Sequence, residues 1–71
     1  MENRDMERDN ELMQISNRFE WACLNDDFSE AYDCYHKFRE KMNLQEDIST
    51  FEHMQVSARK KGWLKTFDMG H

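Results

Sequence analysis

Apolar residues along this chain recur at a spacing near 3.6, the signature of helices with one buried face. Three segments carry it. The first runs from Asp5 or Asn10 to Leu24. At about 100° per residue, Leu12, Ile15, Phe19, Ala22 and Cys23 fall on one side, and Met6 extends the stripe. The second spans 27–42, with Asp26 or Asp27 as N-cap and Glu30 in the first turn, where the helix dipole favours a carboxylate. Its apolar arc, Phe28, Ala31, Tyr32, Tyr35, Phe38 and Met42, is the strongest in the chain and is largely aromatic. The third occupies 50–61. Ser49 to Glu52 reads as a capping box with Ile48 as staple, and Phe51, Met54 and Ala58 point inward. Gly62, after Arg59, Lys60 and Lys61, is a natural C-cap. An apolar tail, 63–69, follows: either the helix continues, or Trp63 and Leu64 fold back to close the core.

The chain lacks proline, its two glycines are Gly62 and Gly70, and the helix connections are short. Short links favour antiparallel neighbours. The expected fold is all-α: one domain over 1–71, built as a helical hairpin with a third helix laid across it, residues 1–9 being charged enough to fray. Seventy-one residues bury only about 60% of the surface of the unfolded chain. Domains this small commonly recruit a disulfide, a metal or a second copy of themselves, and self-association into a homodimer is the expected support. Cys23 and Cys34 lie inside predicted helices, offset by roughly 8 Å along the axis, which is long for a disulfide. The charged N-terminus has no apolar run behind it, as in a cytoplasmic protein with reduced thiols. His36, His53 and His71 form no metal-ligand spacing with the cysteines, and no stretch is long and apolar enough to cross a membrane. No metal and no cofactor is expected.

Residues 25–38, Asn-Asp-Asp-Phe-Ser-Glu-Ala-Tyr-Asp-Cys-Tyr-His-Lys-Phe, resemble the second half of a tetratricopeptide repeat. Phe28, Ala31 and Tyr35 match that family's aromatic, alanine and aromatic positions. Phe38 stands where a small residue is usual, Phe19 near where glycine is usual, and there is a single unit. The resemblance implies hairpin geometry and no more.

Charge divides the chain. Residues 1–35 hold ten acids and three bases, residues 36–71 five acids and seven bases, and the whole carries −5. Such a balance opposes binding to phosphate backbones. A basic segment with an aromatic at its centre (Arg59, Lys60, Lys61, Trp63, Lys65) nevertheless gives a nucleic-acid-binding regulator as the alternative function.

Chemistry is sparse. A cysteine with a histidine is the one nucleophile–base pairing available, and nothing in the pattern brings two such residues together. No catalytic residue is assigned and the chain is not expected to be an enzyme. Protein binding is better supported. Trp21 lies about 180° from Leu12 on the first helix, on the face that carries Gln14 and Arg18, and exposed Trp beside Arg is typical of interface hot spots. If the third helix runs past Gly62, Val56, Trp63 and Phe67 align as a second apolar stripe flanked by Arg59 and Lys60. The expected function is a small non-enzymatic regulator that inhibits or adapts a larger protein. Short, acidic, methionine-rich chains of this type are common among phage and mobile-element factors acting on host proteins.

Overall fold

The computed structural model describes the backbone of residues 4–69 and the side chains of residue 7 and residues 9–69. The described chain is all-helical: α1 (Arg4–Leu24), α2 (Phe28–Lys41), α3 (Ile48–Lys61) and α4 (Leu64–Met69). The backbone of α1 is helical through residues 4–9, where fraying was expected. The side chain of Met6 lies outside the described residues.

α1 and α2 form the expected antiparallel hairpin and share the most extensive interface. The turn between them is a Schellman motif. Asp27 N–H reaches back to the carbonyl of Ala22 at 2.8 Å, with Asp26 at φ +55° in the left-handed region usually given to glycine. An aspartate tolerates that region better than most side chains. Asp27 then caps α2, its Oδ1 accepting from Glu30 N–H at 3.2 Å.

The core is as patterned. Leu12, Phe19, Ala22 and Cys23 of α1 meet Ala31, Cys34, Tyr35 and Phe38 of α2 and Phe51, Met54 and Ala58 of α3, all buried. Fully buried Ala22 and Ala31 allow close approach of α1 and α2. The backbone of α3 runs closer to α1 than to α2, which it meets through the Phe51 ring against Tyr35 and Phe38. A trench therefore remains between α2 and α3.

One expectation is corrected. Ser49 and Glu52 do not form a capping box: α3 begins two residues earlier than expected, at Ile48, with Asp47 in the cap position. The reason lies upstream. Asn43 Oδ1 accepts from Gln45 N–H at 2.8 Å, and Asp47 Oδ2 accepts from Asn43 N–H at 2.8 Å. This local turn winds residues 43–47 directly into the helix and commits Asp47 to the loop.

The tail takes the second of the two courses open to it, the fold-back at Gly62. α3 stops at Gly62, which takes φ +79°, and Trp63 N–H closes a second Schellman motif on the carbonyl of Ala58 at 2.9 Å. The chain folds back as α4, a fourth helix where a tail was expected, and Phe67 enters the core with no exposed surface. The stripe of Val56, Trp63 and Phe67 therefore does not form. A Cβ at Gly62 would meet nothing within 4 Å, so Gly62→Ala isolates backbone strain from crowding. Destabilisation of about 1 kcal/mol is expected, read as a lower urea midpoint with an unchanged slope.

Candidate functional site

The outer face of α1 keeps Gln14, Arg18 and Trp21 together, all exposed. Trp21 is 44% exposed and Leu24, one turn on, 78%. The indole is not loose. The Arg18 guanidinium lies 4.4 Å from its ring centroid, a cation–π contact. Arg18 is itself held across the hairpin, its Nε donating to Glu30 Oε2 at 2.8 Å. That hydrogen bond, with the charge of Glu30, raises the Arg18 pKa. Glu30 is fixed in turn by its place in the first turn of α2 and accepts from the Cys34 thiol at 3.6 Å. A chain of contacts thus runs from the core through Cys34, Glu30 and Arg18 to an exposed tryptophan. The indole N–H has no hydrogen-bond partner among the described residues.

The α3–α4 residues are dispersed. Val56 is exposed among polar neighbours on its helix face, and Arg59 and Lys60 are exposed beside it. Trp63 is half-buried, edge-on to Phe28 at 5.4 Å between ring centroids. Lys61 pairs with Asp26 and lies over the Trp63 ring, so both are drawn into the fold. Phe67 packs against Phe19, Phe28, Tyr32 and Tyr35.

A second surface was not foreseen. The trench between α2 and α3 is a hollow of about 480 Å³ with an apolar wall of Met42, Leu44, Ile48 and Phe51. Its far end carries Arg39 and Asp68, the latter accepting from Tyr35 Oη–H at 3.1 Å. Leu44 is 72% exposed. It sits alone in a polar connection, and no periodicity marks it.

Nucleophilic chemistry finds little support in the geometry. Both thiols are buried and free. Burial, then the charge of Glu30 and the hydrogen bond to it, push Cys34 up to about 11, and burial also raises Cys23. Neither is a thiolate near neutrality. His36 sits between the rings of Tyr32 and Tyr35 with Nε2 buried and unpaired. It is not hydrogen-bonded to either thiol. Among the described residues no three His, Cys, Asp or Glu side chains converge as a metal site, and no helix is long and apolar enough to cross a membrane. In comparisons with known proteins no family model matches the chain, and neither a curated protein nor a solved structure is significantly similar to it.

Proposed function

We propose that this chain is a non-catalytic docking module that regulates a larger protein, as an inhibitor or adaptor, through the outer face of α1. One observation carries the reading: Trp21 is exposed yet already held, by Arg18 clamped to Glu30. Ordering a free tryptophan and arginine at an interface costs affinity, about 0.5–1.5 kcal/mol for each immobilised side chain. Here the fold has already ordered them. Tryptophan and arginine are also the residues most enriched where truncation costs binding most.

The alternative, nucleic-acid binding, draws on Arg59, Lys60 and Lys65, which are exposed and carry no ion pair among the described residues. Two variants separate the readings. Trp21→Ala should weaken capture of the protein partner at least about 30-fold, the equivalent of roughly 2 kcal/mol, with the circular-dichroism spectrum unchanged. Lys60→Glu should leave that capture intact. Retention on DNA or RNA that falls steeply with salt and is lost in Lys60→Glu would instead favour the alternative.

A further inference from the structure

The trench between α2 and α3 takes no part in docking through α1, and its two ends differ in chemistry. Along α2 the lining passes from Met42 to Arg39 and Tyr35, and along α3 from Ile48 to Phe51 and Gln55. Both helices thus lead from an apolar end to a polar one. At the apolar end Leu44 is 72% and Ile48 37% exposed, so their methyl groups are covered by water alone.

The polar end is built from three helices. α4 touches both α2 and α3 and brings Asp68 there. Asp68 Oδ1 accepts from the Tyr35 hydroxyl at 3.1 Å, and that hydroxyl accepts from Gln55 Nε2 at 3.5 Å. Burial above all raises the pKa of the hydroxyl, and of the charges around it Asp68 raises it and Arg39 lowers it. Both charges therefore stand close to one group. Yet no ion pair joins Arg39 to Asp68, and neither has another ion-pair partner among the described residues. A positive and a negative group line one end of a hollow with a gap between them.

This arrangement selects among ligands. An anion drawn to Arg39 is repelled by Asp68, and a cation drawn to Asp68 is repelled by Arg39. An uncharged ligand takes water from both charges and gives neither a partner. A head that carries a carboxylate and an ammonium on one carbon answers both. The apolar wall then requires a hydrocarbon or thioether chain leaving from that same carbon. We infer that the trench binds a free α-amino acid of the leucine or methionine type, its carboxylate on Arg39, its ammonium on Asp68 and its side chain along Phe51 and Ile48. The hollow, about 480 Å³, lies within the roughly 300–1,000 Å³ of small-molecule sites. None of its lining residues belongs to the Trp21 clamp, so this ligand and a protein docked on α1 do not compete, and the site stands whether or not that docking reading holds.

Nuclear magnetic resonance titration tests the site. L-leucine should shift the methyl signals of Met42, Leu44 and Ile48 and saturate at roughly 1–10 mM, as suits so small a ligand in an open trench. Isocaproate, which lacks the ammonium, and isoamylamine, which lacks the carboxylate, should each bind at least about 10-fold more weakly. Glycine, which lacks the side chain, should give no saturable shift. Two variants leave the core alone, since Arg39 is exposed and Asp68→Asn keeps an acceptor for Tyr35. In Asp68→Asn leucine should bind no better than isocaproate, and in Arg39→Gln no better than isoamylamine. A merely structural role for either charge would weaken all three ligands together. Three results would overturn the inference: no saturable shift of these methyl groups up to about 50 mM leucine, wild-type binding of isocaproate or isoamylamine equal to that of leucine, or equal binding of N-acetyl-leucinamide, which would make the trench a groove for a polypeptide segment.

Discussion

Phe67→Ala is expected to remove about half of the stability of the fold. Phe67 is fully buried and is the residue through which α4 reaches both arms of the hairpin. Its ring centroid lies 6.2 Å from Phe19, 5.5 Å from Phe28 and 4.9 Å from Tyr35. Truncating a buried phenylalanine costs about 3–5 kcal/mol. A domain of 71 residues has roughly 4–10 kcal/mol in total. The loss is thus about half of the total at the centre of both ranges. Circular dichroism with urea titration would read it as a midpoint lowered by about half. Met69→Ala, on the same short helix but 70% exposed, should change little. Equal midpoints for Phe67→Ala and wild type would mean that α4 does not close the core.

Why the course of the chain past Gly62, and with it the place of Phe67, stayed open in the sequence shows where local pattern stops being informative. Continuing α3 through Gly62 at about 100° per residue rotates Trp63 and Phe67 to the solvent side. Ending it at Gly62 reverses the chain. A glycine with basic residues before it fits a C-cap, but the choice depends on a vacancy between Phe19 and Tyr35 that only the assembled hairpin creates. The elements whose cause is local were readable. Asp27 caps α2 because it precedes an amphipathic run, and α2 buries Ala31, Tyr35 and Phe38 because three- and four-residue spacings put them on one face. Ser49 misled for a related reason: its box with Glu52 is sound as a motif, yet the turn at Asn43 lies upstream and starts the helix first.

The candidate site divides the same way. The position of Trp21 opposite Leu12 is a matter of helix period and was legible. The clamp on it was not, since Arg18 and Glu30 are twelve residues apart and meet only when the hairpin closes. Leu44 had no signal, being an isolated apolar residue in a connection, and Ile48 was legible only as a staple for the third helix, not as a wall of the trench. Their trench exists because the backbone of α3 runs closer to α1 than to α2, a packing outcome with no mark in either helix alone.

The second large effect is on pH. Raising the pH from 8 to 11 should destabilise the fold, and Cys34 should account for much of the loss. Its thiol is buried and donates to Glu30. Desolvation first, then the charge of the carboxylate and its hydrogen bond, hold the folded-state pKa at about 11 against an ordinary value of 9.0. Below pH 9 both states keep the proton and the contribution is constant. Between pH 9 and 11 the unfolded chain releases it while the folded chain retains it, so the balance moves toward unfolding. At about 1.4 kcal/mol for each unit of difference, Cys34 alone removes roughly 2–3 kcal/mol by pH 11. Cys23 and Tyr35, also raised by burial, act in the same direction. Urea titrations under reducing conditions at pH 7, 9 and 10.5 should show the wild-type midpoint falling steeply above pH 9. The Cys34→Ala midpoint should start lower and fall less. Parallel curves for the two proteins would show that Cys34 does not carry the effect. Glu30 links this titration to the docking face, because a thiolate cannot donate to the carboxylate that holds Arg18 and would repel it instead. Loss of the Arg18 clamp on Trp21 should therefore accompany the alkaline transition, visible as a change in tryptophan emission that Cys34→Ala diminishes.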